Sequence, residues 1–203
     1  SLGPGADLPR IVTIVLLYDH LSDRTIRVLN THWSHVSEEA RLTASSILAG
    51  WTGWAGAADL TVVCGDFNAE PESLPITELL ASSALEDTYE TANFRCRKSF
   101  GTYATFYPIN VNGAPRIDAI FYRGDAIVDW VCADEYIKYG VYISDHLPYH
   151  AVFKIPTAVE TVDVRHVAIG IIGIVAPAIG RDAGEGVGSG DGLAAAITTA
   201  FAE

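Results

Sequence analysis

Positive charge is scarce in this sequence. Thirteen lysines and arginines face 25 acids, a formal net charge of -12. That balance argues against a broad basic surface that grips nucleic acid through counterion release. It leaves room for a small basic cleft, and for a bound metal ion whose charge a residue count omits. Cysteine is scarce too. Cys64, Cys96 and Cys132 are scattered, odd in number and without metal-ligand spacing, which argues against a disulfide framework or a zinc ribbon and leaves a single bridge open. Long apolar runs are missing: residues 167–179 come nearest, but fall short of the roughly 20 residues that cross a bilayer and contain Gly170, Gly173 and Pro177. The opening S-L-G-P-G-A-D-L-P has no charged-then-apolar signal pattern. The glycine run at residues 184–192 has no Lys-Ser or Lys-Thr after it, so it is not a phosphate loop. What is present, 49% hydrophobic and 19% charged residues in 203, suits one soluble, well-cored domain.

The chain reads as an α/β (α+β) fold. Residues 10–17 are a nearly unbroken β-branched run, expected to form a strand buried on both faces. Residues 25–29 alternate and should return as the second strand of a hairpin, delivering Asn30, Thr31 and His32 at its end. Ser37, followed by two glutamates, caps a helix whose predicted buried face is Leu42, Ile47 and Leu48. Trp51 and Trp54 are expected to pack in the core. Residues 60–64, L-T-V-V-C, read as a central buried strand, and residues 75–85 as a second helix. Residues 86–98 are predicted to be a polar surface segment. Strands are expected at 100–107, 116–122, 127–131 and 149–155. Residues 156–203 read as a Gly/Ala-rich appendage, mobile in part, which leaves 10–155 as the compact unit.

Four polar clusters stand at strand ends or on strands: Asn30-Thr31-His32, Asp66-x-Asn68, Arg116-x-Asp118 and Ser144-Asp145-His146. Each has a plain reading as turn chemistry or a structural hydrogen bond. Asp118, inside an apolar strand, is harder to explain that way, because a buried carboxylate needs a partner such as His or Arg. Loops after strand ends are rigidly held yet open to solvent, which is where α/β sheets bind ligands.

The motifs N-T-H-W, G-D-F-N-A-E-P, R-I-D-A-I-F and S-D-H-L-P, in that order, resemble the endonuclease/exonuclease/phosphatase superfamily. The resemblance covers roughly residues 10–155. It implies part of a two-sheet β-sandwich flanked by helices, and a divalent-metal-dependent phosphoesterase that hydrolyses a phosphodiester or phosphomonoester with Mg²⁺ or Mn²⁺. Carried onto this chain, it implies that His146 acts at the attacking water or the phosphate and that Asp118 orients it. Asp66 would activate water or help hold the metal, and Asp145 would belong to the metal site. Asn68 would contact the phosphate, and His32 would bind phosphate oxygens or protonate the leaving group.

Two departures qualify the match. The family's N-terminal strands, one carrying an Asn and one ending in a metal-binding Glu, have no counterpart before Arg10, so the chain is expected to correspond to the C-terminal portion. Ser34 stands where an Asp is common. A second reading follows from the first departure: a catalytically impaired remnant that acts at most as a binding module. A zinc site from His32, His35 and a cysteine is a third, poorly supported by spacing. Arg95, Arg97 and Lys98 form the one basic cluster, read as a solvated loop, with a phosphate contact beside the cleft as the alternative.

Overall fold

The central strand run behaves as its composition demands. In the computed structural model, which describes residues 2–53, 58–97, 101–106, 111–156, 165–172 and 196–201, the first hairpin is β1 (Val12–Asp19) and β2 (Arg24–His32). It is registered from Val12 opposite Thr31 to Asp19 opposite Arg24. The Asp19 carboxylate closes the turn by accepting the Leu21 and Ser22 N–H groups. Helix α1 (Glu38–Thr52) begins where the Ser37 hydroxyl accepts the Ala40 N–H at 3.1 Å, satisfying an otherwise orphaned amide. Strand β3 (Leu60–Asp66) runs parallel to β2, as the helical crossover between them requires. Helix α2 (Leu74–Ser83) follows, then β4 (Glu86–Asp87), α3 (Thr88–Thr91) and β5 (Phe94–Arg95). The remaining strands are β6 (Asp118–Gly124), β7 (Ile127–Ala133), β8 (Ile137–Lys138), β9 (Val141–Tyr142), β10 (Tyr149–Ile155), β11 (Arg165–Ile172) and β12 (Ala196–Phe201).

They form two five-stranded sheets, in the orders β1-β2-β3-β6-β4 and β12-β11-β10-β7-β5, with β8 and β9 as a small separate hairpin. Alternate residues of β3 serve two cores. Leu60, Val62 and Cys64 face the second sheet and meet Val131, Ala151 and Phe153. Val63 joins Leu29, Phe121, Leu48, Ile76 and Leu79 under the helices. A strand covered on both sides has no solvent-facing side, which is why its run is apolar but for the buried Thr61 until it reaches Asp66.

Several expectations are corrected. Strand β1 is not buried on both faces: it lies at the sheet edge, and Ile14, Leu16 and Tyr18 are exposed. Helix α1 buries Ala40, Ser45, Leu48 and Thr52, while Ile47 is exposed and Leu42 is half-buried. Trp51 is exposed rather than core, and Trp54 lies outside the described residues. Residues 86–98 hold three short elements and bury Asp87 and Thr88. Arg116 makes a two-pronged contact with Asp87 (2.7 and 3.4 Å) and lies 4.7 Å from the Tyr89 ring centre, so its role is structural. The described part of 100–107 is loop, with one isolated bridge from Tyr103 to His146, in place of the predicted strand. Within the stretch read as a tail, β11 pairs with β10 from Tyr149 opposite Ile171 to Ile155 opposite Arg165, and β12 pairs with β11. Cys96 and Cys132 form a disulfide, and Cys64 is free and buried. No helix among the described residues is long and apolar enough to cross a membrane.

Candidate active site

Strand register assembles the site. Paired residues on neighbouring strands share a face, so each register row crosses β2, β3 and β6 on one side of the sheet. Val28–Val62–Tyr122 is one such row in the core between the sheets, and Asn30–Cys64–Ile120 is the next. The row after that, where β2 and β3 end and β6 begins, is His32–Asp66–Asp118. The apolar interior therefore turns polar within one step. Gly65 makes that step sterically feasible: its φ is +146°, and a Cβ there would stand 1.9 Å from the Thr31 carbonyl oxygen.

Beyond the row, Asn68 sits in the left-handed region (φ 48°), a conformation Asn tolerates better than most side chains. Its backbone N–H donates to Asp66 Oδ1 at 2.8 Å, and its side-chain amide donates to the Trp33 carbonyl at 3.0 Å. Asn68 thus ties the loop after β3 to the loop after β2 and fixes the Asp66 rotamer.

His146 arrives from the loop before β10. Its Nδ1 lies 2.7 Å from Asp118 Oδ2, and its Nε2 lies 3.8 Å from Asp66 Oδ2. His32 Nε2 approaches the same Asp66 oxygen at 3.2 Å. Asp66 Oδ2 is accordingly shared by two imidazoles. One residue that sequence reasoning missed holds this together. Thr102, fully buried, accepts the Ile117 and Asp118 N–H groups on its hydroxyl (3.0 and 2.9 Å) and the Leu147 N–H on its carbonyl (2.7 Å). Its F-G-T-Y-A-T-F-Y context alternates like a strand, and that alternation masks a threonine whose hydroxyl serves two amides.

Burial by itself would lower the proton affinity of His146. The hydrogen bond and charge of Asp118, with the charges of Asp66 and Asp145, outweigh it and push the pKa up to about 9. His32 goes the other way, to about 4, because burial disfavours its cation and Arg10 and His146 add repulsion. It is therefore an uncharged imidazole at neutral pH, and its 3.2 Å approach to Asp66 is a polar contact rather than an ion pair. Asp66 is pushed well above the usual carboxylate range, first by burial and then by the neighbouring Asp118 charge. Opposed shifts of this kind in adjoining buried groups mark a candidate functional site.

Asp66, Asp118 and His146 each offer a ligand atom within 4.8 Å of the others. Asp145 is outside that group, yet its Oδ1 is buried and without a hydrogen-bond partner. A buried carboxylate oxygen lacking a donor is what a cation satisfies, and oxygen donors of this kind suit Mg²⁺ or Mn²⁺. The zinc arrangement from His32, His35 and a cysteine is not formed among the described residues: His35 contacts Asp7 and Arg10, and Cys64 points to Asn30. In the basic cluster, Arg95 stacks 5.0 Å from the Tyr89 ring centre and donates to the Glu90 carbonyl; Lys98 lies outside the described residues.

The family model described as "Endonuclease/Exonuclease/phosphatase family" matches residues 3–146, well over half the chain. The chain belongs to the endonuclease/exonuclease/phosphatase family. Solved structures of the fold include a family protein from Bacteroides thetaiotaomicron, 25% identical with a TM-score of 0.66 over 73% of this chain and 57% of that one. A mannosyl-6-phosphatase from the same organism superposes with a TM-score of 0.65 at 23% identity, covering 75% and 60%. D. rerio TDP2, solved with a single-strand DNA product, gives 0.53 at 16%, covering 72% and 62%. The last two likenesses bear on fold alone. The chain spans less than two thirds of the length of each of these relatives. No curated protein matches it by sequence.

Proposed function

We propose that this endonuclease/exonuclease/phosphatase chain is a divalent-metal-dependent phosphoesterase that cleaves a phosphodiester or phosphomonoester by in-line attack of water. The observation that carries the reading is the shared Asp66 oxygen, 3.2 Å from His32 and 3.8 Å from His146, with Asp118 behind His146. Asp66, with its raised proton affinity, takes the proton of the attacking water. His146, protonated at neutral pH and fixed by Asp118, donates from Nε2 to the phosphoryl oxygen on which charge develops. His32 and the Asn68 amide hydrogen-bond the remaining phosphate oxygens. Asp66 and Asp145 would hold Mg²⁺ or Mn²⁺, which supplies Lewis-acid stabilisation of the phosphoryl group when bound. The catalytic unit is taken as residues 10–155; residues 156–203 contribute strands but none of the named side chains.

The test is hydrolysis of a generic phosphodiester and a generic phosphomonoester by the purified chain, with Mg²⁺, Mn²⁺ and chelator in parallel. Chelator-sensitive turnover is expected, with the preferred ester narrowing the substrate class. His146→Ala and Asp66→Ala should each lower it by about 10²–10⁴-fold, the usual contribution of a positioned acid or base. Turnover unchanged in both variants would sink the assignment. No turnover from a folded chain would instead favour the reading as a binding module.

A further inference from the structure

The second sheet carries another cluster of ligand-bearing side chains, and nothing in the proposed hydrolysis uses it. Strands β7 and β10 are antiparallel with Cys132 opposite His150, which puts both side chains on one face. Just after β5, the Cys96 N–H donates to the Val131 carbonyl at 3.1 Å, and this brings its sulfur to Cys132 as a disulfide. Asp134 completes the group. Its Oδ1 is 3.4 Å from Cys132 Sγ, and its Oδ2 is 3.1 Å from His150 Nδ1. The His150 ring is in turn set edge-on to Trp130, with centres 4.6 Å apart. Together, Cys96, Cys132 and Asp134 present one ligand atom each within 4.8 Å of the others. Tetrahedral zinc, with Zn–S of about 2.3 Å and Zn–O of about 2.0–2.2 Å, needs its ligand atoms roughly 3.3–3.8 Å apart. As a disulfide the two sulfurs are bonded, so once reduced they must part by a little under 2 Å, from an S–S bond of about 2.0 Å, to span a zinc ion. The cluster is also accessible: a groove of about 610 Å³, lined by Asn93, Phe94, Arg97 and Trp130 among others, opens onto both cysteines and Asp134.

We propose that Cys96, Cys132 and Asp134, with His150 holding the carboxylate, bind zinc whenever the disulfide is reduced, so that disulfide and metal are exclusive states of one cluster. The chemistry balances with a dithiol reductant. The S–S bond takes up two electrons and two protons to give two thiols, while the reductant closes its own disulfide. Zn²⁺ then binds both sulfurs as thiolates and releases the two thiol protons to solvent. Two soft thiolates select zinc over Mg²⁺. His150 acts as a positioning residue, fixing the free oxygen of a ligating carboxylate as such partners do in zinc sites. The consequence reaches the loop that carries His146, because the Asp134 N–H donates to the Pro148 carbonyl at 2.7 Å.

Cobalt titration tests this directly. The full chain is reduced with a phosphine, freed of reductant under argon, and titrated with Co²⁺. Thiolate-to-cobalt charge-transfer bands and tetrahedral visible bands should appear, saturate at one ion per chain, and bleach on adding Zn²⁺. The disulfide form should show neither. Cys132→Ser should lose the charge-transfer bands. Asp134→Asn, which retains both sulfurs, should weaken Zn²⁺ binding by about tenfold or more. The bands report sulfur ligation, so metal taken up by Asp66 and His146 cannot mimic them. The proposal is overturned by absent bands in the reduced chain, by equal bands in Cys132→Ser, or by unchanged affinity in Asp134→Asn. Loss of native near-UV circular dichroism on reduction overturns it as well, since the site requires a folded thiol form.

Discussion

Two histidines of the sandwich are each held through Nδ1 by an aspartate Oδ2. His146 and Asp118 meet at 2.7 Å with side chains 8% and 3% exposed; His150 and Asp134 meet at 3.1 Å with side chains 20% and 50% exposed. The atoms are the same and the surroundings are not. In the first pair Asp118 lies in line with core rows, and water cannot screen the pair, so each charge depends on its neighbours for solvation. In the second pair water reaches the carboxylate, and the electrostatic worth is small. What the second cluster has instead is sulfur and access. The difference teaches that what sets a His–Asp contact apart is burial and a third charged group, here Asp66, and not the pair itself.

Removing the aspartate from each pair would break the comparison most sharply. Asp118→Asn is expected to cost about 3 kcal/mol in urea denaturation, the lower end for a broken buried pair because His146 can shed its proton. Asp134→Asn should cost within about 0.5 kcal/mol. Equal losses would show that burial does not set the difference. In Asp118→Asn the His146 pKa, followed by NMR, should also fall from about 9, because burial then acts with less opposition.

Acidity sharpens it next. The folded-state pKa of His146, about 9, lies above the ordinary 6.5, so the folded chain holds that proton more tightly than the unfolded chain. The stabilisation, about 3 kcal/mol at most, is complete below about pH 6.5 and is lost as pH rises through 9. His32 has the opposite sign. With a folded-state pKa of about 4, it resists protonation, and stability falls as pH drops from 6.5 towards 4. Asp66, whose folded-state pKa is raised, adds stability as pH falls and opposes the His32 loss, so the clean window lies above neutrality. The urea midpoint should fall from pH 7 to pH 9.5, and a midpoint that rises there would contradict the His146 assignment.

The last expected effect concerns the support beneath the first pair. Thr102→Val keeps the shape but strands the Ile117 and Asp118 N–H groups, at a cost of about 1–3 kcal/mol. Thr102→Ser should recover most of it, as read by thermal denaturation. Recovery failing in Thr102→Ser would mean that the methyl packing matters more than the hydroxyl.

Much of the core was legible because period and composition speak locally. The continuous run of β3, the Ser37 cap and the alternation of β2 each have one physical reading, and each was met. The misreadings share a cause. Strand β1 has the composition of a buried strand, yet burial depends on what lies beside it, and in this chain β1 is a sheet edge. Residues 101–106 alternate like a strand but are held by hydrogen bonds to the sequence-distant carbonyls of 115 and 145. Residues 86–98 are polar enough for a surface loop, although Arg116 buries Asp87 by pairing with it. The Cys96–Cys132 bridge, 36 residues apart, had no spacing signal at all.

By itself, the sequence determined the family, the main core strands β2, β3, β6, β7 and β10 and the residue types available for phosphate chemistry, because motif and periodicity are properties of neighbours in the chain. Only the tertiary structure decided that His32, Asp66 and Asp118 form one row, that Asp66 shares a single oxygen between two histidines, and that Arg116 stays out of the site. It also decided that two distant cysteines meet beside Asp134 and His150. These outcomes depend on register, and register is set by the packing of whole strands rather than by any segment read alone.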